Sequence, residues 1–354
     1  LQERFDDRLR HLPAAALHGL VARIAQVEAF RGWWDGTPKP PGAVLERRLA
    51  AVAAESAAES TRLAGIAPSA ADSGYAETLR AVFEGRGAIA PDEPRILGLH
   101  AGIFRRDTRG RARAGRYKTA SASGSTDRRW MMEPVALRAP GPLLIPAQME
   151  ALSAWYASRS RAGEFHPVVV AAAYLLEFLA IRPFADGNGR LGRLLTNLLL
   201  LRCGHAYIPY GSLEKAIARN WAEYYLALRR SQASRNLPRP DISPWLFAFL
   251  DALLVQQRMV RDALFGLPEE GRLSGNQAAV LKIAARRGEV TNRAVAEELG
   301  LPRETAKQTL NRLTALGALR RLGAGRATRY RLPAASPLPP VAGRGEVTDG
   351  PLPE

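Results

Sequence analysis

The sequence predicts a mainly α-helical protein, and three observations carry that expectation. A long helical run starts at Val44, HPVVVAAAYLLEFLAI repeats apolar residues at helical spacing, and WLFAFLDALLVQQRMVRDALF reads as an amphipathic helix. The 354 residues suit two or three domains, and 47% hydrophobic content is ample for a packed core. The expected order is an N-terminal helical region (1–85), a helical core (86–235), a helical connector (236–271), a basic helix-turn-helix domain (272–332) and a disordered tail (333–354).

The elements follow in chain order. In HPVVVAAAYLLEFLAI, Pro167 suits a first helical turn, and Val169, Ala172, Ala173 and Leu176 keep one face apolar. Next comes IRPFADGNGRLGR, residues 181–193, which places an acid, a glycine-rich turn and two spaced arginines in one loop entering a helix. Gly187-Asn188-Gly189 can aim successive N–H groups at one point, and a helix starting near Arg190 adds its positive end there. Arg190 and Arg193 share a helix face, and Asp186 stands where a carboxylate could hold Mg²⁺ against phosphate oxygens. The embedded Gly187-x-Gly189-x-x-Gly192 does not make a dinucleotide fold. A helix rather than a strand precedes it, and the next twenty residues carry no carboxylate.

This string resembles the HxFx(D/E)GNGRxxR signature of Fic-family proteins at every defined position except the first, where Arg182 replaces histidine. The resemblance implies an all-helical core with a small β-hairpin flap over roughly residues 40–235, and a site for ATP or a related nucleotide with Mg²⁺. In that family most active members transfer AMP to a protein hydroxyl, and the motif histidine is the general base. Arginine stays protonated and offers no acceptor, so this chain keeps the grip and lacks the usual base. A fixed charge at Arg182 would strengthen phosphate binding while opposing proton removal; the alternative is an arginine turned to solvent or paired with Glu177. His166, some 16 residues upstream, and His205, beyond the motif helix, lie too far along helices to serve as base, and His166 suits a capping or packing role.

Two further segments resemble family features. Gly115-Arg116-Tyr117-Lys118 falls where a Gly-x-Tyr-Arg-like segment leads into the flap, a candidate docking site for a protein target; the alternative is a solvated basic loop. Ser60-Thr61-Arg62-Leu63-Ala64-Gly65 resembles the inhibitory (S/T)xxxE(G/N) helix with Ala64 in place of its glutamate. The resemblance then leaves Arg193 free for a phosphate, with no carboxylate to neutralise it.

Charge marks the other end of the chain. The formal +16 resides in two stretches, residues 272–332 with 13 Lys/Arg against 4 Asp/Glu and residues 101–130 with 9 against 2. In the first, Gly275 to Arg287 reads as a helix, Thr291 caps a second, and Gly300-Leu301-Pro302 turns into a third ending near Gly317. ALRRLGAGRATRYRL then reads as two short strands around Gly323-Ala324-Gly325, which completes a winged helix. Its third helix offers Arg303, Thr305, Lys307, Gln308, Asn311 and Arg312 to phosphates and base edges, and Arg326, Arg329 and Arg331 could follow the backbone or minor groove. Such a domain can alternatively serve protein contacts, and winged helices often bind as dimers. The lone Cys203 suits a buried inert thiol. No apolar run reaches a membrane span and Leu1-Gln2-Glu3 does not open a signal peptide, so the expectation is a cytoplasmic protein without membrane contact. The functional expectation is a nucleotide-binding regulator that contacts DNA, with weak or absent AMP transfer. The alternative is an active transferase using an unusual base or a metal-activated nucleophile.

Overall fold

Two helices in the middle of the chain are buried on nearly every side: α7 (Pro167–Ile181), which is almost wholly apolar, and α8 (Asn188–Arg202), which carries Arg190, Arg193, Thr196 and Asn197 inward among its leucines. The computed structural model describes residues 2–107, 111–120, 139–237, 239–265, 275–315, 318–323, 325 and 328–332, and divides into the units Leu1–Phe265 and Gly266–Glu354. In the first unit, α7 starts where expected. Pro167 occupies its first turn and the His166 ring accepts the Val168 N–H, a local cap that satisfies one of the open donors at the helix start.

Around this pair are laid α1 (Gln2–Arg10), α2 (Ala14–Gly36), α3 (Gly42–Leu63), α4 (Ser73–Glu84), α5 (Glu93–Ile103), α6 (Ile145–Ala162), α9 (Leu213–Arg219), α10 (Trp221–Ala233) and α11 (Ser243–Phe265). Helix α6 covers one side of α7, and Trp155 on α6 meets Phe5 of α1 edge-on while donating its indole N–H to Asp6. On the other side α11 lies along α2, α10, α9 and α7, and the Trp245 indole donates to the Ala172 carbonyl. The segment read as a connector therefore contributes its long helix to the first unit. Helices α3, α4 and α5 pack against α8 near its start and along its length. Gly192 lets α8 approach α7, because a Cβ there would sit 2.9 Å from Leu179 Cδ2.

The second unit has its own core of Val280, Ile283, Ala284, Val295, Leu310, Leu313, Leu319 and Tyr330. It contains α12 (Gly275–Arg287), α13 (Asn292–Leu299) and α14 (Arg303–Ala315), with Thr291 accepting the Ala294 N–H and Gly300 left-handed between α13 and α14. Strands β2 (Arg320–Leu322) and β3 (Arg329–Arg331) form the expected hairpin. A further strand, β1 (Glu289–Val290), pairs antiparallel with β3 to give the order β1-β3-β2. The sequence reading missed β1, whose two residues are too few to show alternation.

The protein is thus mainly α-helical. Its described strands all lie in the second unit. The expected flap hairpin beyond Lys118 falls on residues 121–138, and the expected tail on 333–354, both outside the described residues. Among the described residues no helix is long and apolar enough to cross a membrane.

Candidate functional site

The link between α7 and α8 is shaped by backbone rather than by a long loop. Helix α7 ends on Arg182 with φ 49°, its N–H on the Phe178 carbonyl, and α8 begins after Gly187 with φ 76°. A non-glycine residue in the left-handed region stores strain, and the surrounding contacts hold it there. Asn188 closes the turn, its Oδ1 accepting the Phe184 N–H at 3.0 Å and its Nδ2 donating to the Phe184 carbonyl at 2.7 Å. Helix α8 starts at Asn188, two residues earlier than the expected start near Arg190. Its first intrahelical bond runs from Leu191 N–H to the Gly187 carbonyl, so the N–H groups of Asn188, Gly189 and Arg190 stand ahead of the ladder at the positive end of the helix.

Residues the sequence did not single out hold this turn from outside. His100 on α5 stacks on Phe184 at 3.7 Å, accepts the Gly115 N–H on Nδ1, and donates Nε2–H to the Asp186 carbonyl at 3.0 Å. Both ring nitrogens are thereby used in the neutral form. Burial pulls its pKa down to about 4, with the Arg190 charge adding to that shift against the opposing Asp186 contacts. Phe104, the residue that ends α5, takes the Arg190 guanidinium over its ring at 4.5 Å and excludes any side chain at Gly187, where a Cβ would come within 2.7 Å of Cε2.

The motif side chains divide into two groups. Arg190 and Arg193 are buried, at 9% and 6% exposure, whereas Arg182 and Asp186 are exposed. Asp186 Oδ1 accepts the Gly187 N–H, and Oδ2 lies 3.9 Å from Arg190. Among the described residues no three His, Cys, Asp or Glu side chains converge to hold a metal, so the motif presents one exposed carboxylate. That fits Mg²⁺ in its usual nucleotide setting, held by one or two carboxylates together with phosphate oxygens and water.

The expectation that Arg193 is free is overturned. Its Nε and Nη2 donate to the Ser60 hydroxyl (3.0 Å) and carbonyl (2.6 Å), and Nη1 reaches the Tyr225 hydroxyl at 3.3 Å. Ser60 lies fully buried in the last turn of α3, with Ala64 closing the helix and Gly65 left-handed behind it. The inhibitory-motif position does meet the second arginine, through serine and backbone instead of a carboxylate.

A carboxylate is nonetheless close. Glu214 on α9 is fully buried and accepts the Tyr75 hydroxyl at 2.8 Å and Asn197 Nδ2 at 3.2 Å. Burial raises its pKa, and the Arg193 charge is among the influences pulling it back.

Arg182 does not pair with Glu177, which is buried and bonded to Arg8 and Arg235. The 115–118 segment does meet the motif. The Lys118 N–H donates to the Pro183 carbonyl at 3.0 Å and Tyr117 packs on Phe184, while Arg116 stays exposed. The two histidines weighed as bases sit elsewhere, His166 and His205 facing Glu28 at 3.4 and 3.7 Å. Cys203 is half-buried, its thiol pushed up to about 12 chiefly by burial.

On the second unit, Ala306, Thr309, Leu310 and Leu313 turn α14 inward and leave Arg303, Lys307, Gln308, Asn311 and Arg312 exposed, with Thr305 half-buried. Tyr330 is buried between exposed Arg329 and Arg331, and Arg320 and Arg321 are exposed on β2; Arg326 lies outside the described residues. Lys307 and Arg329 have acidic neighbours, Glu304 at 3.6 Å and Glu289 at 3.3 Å.

Comparison with known proteins agrees with this geometry. Residues 91–200, from the start of α5 to the last turn of α8, match the model of the Fic/DOC family. A protein adenylyltransferase Fic of Aedes aegypti is 44% identical over 66 residues, 19% of this chain and 13% of that protein. That of Drosophila mojavensis is 41% identical over 66 residues, again 19% and 13%. The match therefore spans a small part of those relatives. A solved Fic family protein from Desulfovibrio desulfuricans G20 superposes with a TM-score of 0.50 at 23% identity, over 91% of this chain and 97% of that one. A Fic domain containing signaling protein from Bacteroides thetaiotaomicron VPI-5482 gives 0.53 at 22% identity, over 70% and 100%.

Proposed function

We propose that the first unit binds ATP or a related nucleotide with Mg²⁺ and that the second unit, a winged helix-turn-helix, binds DNA, the pair acting as a nucleotide-responsive regulator. The observation that carries the nucleotide reading is the α7–α8 turn, which brings a left-handed glycine, the open N–H groups of Asn188 to Arg190 and the buried Arg190 guanidinium together at the start of α8. Asp186 would take the metal, and the turn that Gly187 opens, with the N–H groups of Asn188, Gly189 and Arg190, the Arg190 guanidinium and, after release from Ser60, Arg193, would take the phosphates. When bound, Mg²⁺ neutralises phosphate charge and holds the polyphosphate in one geometry.

The reading of the second unit rests on the exposed polar face of α14 beside a basic hairpin, the arrangement that places a recognition helix in a major groove and a hairpin along the backbone. The name adenylyltransferase carried by the insect relatives supports a Fic-type transferase ancestry for the site, with Arg182 leaving AMP transfer weak or absent. A homodimer on paired half-sites and a protein target at residues 115–118 belong to the same proposal.

Isothermal titration with MgATP and other Mg-nucleotides tests the first half, and duplex binding with and without the nucleotide tests the second. No heat with any nucleotide ends the nucleotide reading. Duplex affinity indifferent to a nucleotide that does bind ends the coupling.

A further inference from the structure

Lys118 differs from the rest of the basic stretch that contains it. Arg105, Arg106, Arg113 and Arg116 are exposed, as ordinary solvated charges are, whereas Lys118 is only 6% exposed. Its backbone is fixed to the motif turn by the bond to the Pro183 carbonyl, one residue beyond Arg182. Among the described residues its ammonium group has no carboxylate partner, and the charge that acts on it is that of Arg182. A charged lysine buried without a counter-ion and set beside an arginine is costly, and that cost disfavours its protonated form. Burial first, and Arg182 second, lower its pKa. The motif turn thus has a fixed cation at Arg182 and, tethered beside it through the Pro183 carbonyl, a buried amine whose protonated form is disfavoured. Arginine cannot accept a proton, but a neutral lysine amine can.

We propose that Lys118 is the general base of this site, taking the proton that the residue at position 182 cannot take. The proposal rests on the nucleotide reading above and goes beyond it by restoring slow chemistry. In the step, the oxygen of a hydroxyl side chain or of water bonds to the α-phosphorus of ATP as the bond from that phosphorus to the bridging oxygen breaks. Pyrophosphate leaves with the electron pair of that bond, and the nucleophile's proton passes to Lys118 Nζ, which becomes an ammonium. The products are AMP on the hydroxyl, or free AMP when water attacks.

The experiment uses the full chain with MgATP. Pyrophosphate release is followed from pH 6 to 10 for the wild type, Lys118→Arg, Lys118→Met and Arg182→Gln, with nucleotide affinity measured in parallel by titration. Separately, the nucleotide-free protein is pulse-labelled with acetic anhydride across the same range, and the labelling of Lys118 is read by mass spectrometry.

The expected wild-type result is release that rises with pH through the Lys118 midpoint, and a labelling midpoint below that of ordinary lysines near 10.4. Lys118→Arg and Lys118→Met should lose about 10²-fold or more in rate, the usual contribution of a general base, while still binding nucleotide. Arg182→Gln, a change at an exposed residue, should move both midpoints upward.

Retention of the rate in Lys118→Arg would overturn the proposal, because a held charge would then suffice. So would an ordinary Lys118 midpoint, or no release at any pH from protein that binds nucleotide. Absence of nucleotide binding would instead remove the reading on which it rests.

Discussion

The two units handle positive charge in opposite ways. In the first, Arg190 and Arg193 are buried and each is held by named neighbours, Phe104 for one and Ser60 with Tyr225 for the other. In the second, Arg303, Lys307, Arg312, Arg320 and Arg321 stand in solvent. A buried guanidinium has lost its hydration and its rotamer freedom before any ligand arrives, so it selects one geometry and depends little on salt. An exposed one is mobile and screened, and it recognises a line of phosphates rather than a single group. On the function proposed above, the contrast would separate a site for one small anion from a surface for a long polyanion.

The largest expected effect breaks the buried side of the contrast. Glu214→Ala removes a fully buried carboxylate that accepts from Tyr75 and Asn197 and is coupled to the Arg193 charge. Removing a buried carboxylate that offsets a buried cation costs up to about 3–5 kcal/mol. Urea unfolding should register a loss of that order, with Glu214→Gln milder. A loss below about 1 kcal/mol would mean that the buried Arg193 charge does not depend on Glu214.

Next comes the turn itself. Asn188→Ala leaves the Phe184 N–H and carbonyl, both inside the turn, without their partner, at about 1–3 kcal/mol for a buried unsatisfied group. Nucleotide affinity should fall at least about tenfold, since each 1.4 kcal/mol of lost preorganisation is a factor of ten. Unchanged affinity would show that the N–H groups of α8 keep their aim without the asparagine clamp.

On the exposed side the effects are smaller and depend on salt. Arg303→Ala and Arg312→Ala should each weaken duplex binding by about tenfold or less and lower the slope of log affinity against log salt by about 1. Anisotropy on one duplex between roughly 50 and 200 mM salt measures both. A loss that falls on one sequence and spares the slope would place that arginine on a base edge instead of a phosphate.

These tests also bear on what the sequence could tell. Helices α7 and α8 were legible because their apolar spacing is local and the glycines between them demand a turn. Helices α12 to α14 were legible from Thr291, Gly300 and Pro302, each acting within a residue or two of its own position. His100, Phe104 and Glu214 were not. Their partners lie 86 residues away for His100 and Asp186, and 139 for Tyr75 and Glu214, and such pairings leave no periodic mark on the chain. The reading of Arg193 failed for the same reason. The loss of glutamate at Ala64 was visible, but the Ser60 carbonyl as replacement acceptor depends on how α3 ends against α8.

The effect that separates the units most cleanly is acid sensitivity. All five histidines and all six tryptophans precede residue 266, so the first unit carries both the proton-sensitive groups and the fluorophores. Burial pulls His100 down to about 4 and His205 to about 3, against an unfolded value of 6.5. Above pH 6.5 the folded and unfolded chains are equally deprotonated at these rings, and stability does not vary on their account. Below it the unfolded chain gains protons that the folded chain refuses. Stability therefore falls as pH drops from 6.5 toward 4, by roughly 1 kcal/mol per pH unit for each ring. Urea titrations followed by tryptophan fluorescence at pH 7 and 4.5 should show that loss. His205→Gln should remove part of it, with His100 and His166, whose pKa burial also lowers, carrying the rest. A first-unit midpoint that does not move with pH would mean that His100 binds a proton in the folded state, which its Nδ1 acceptor role toward Gly115 forbids.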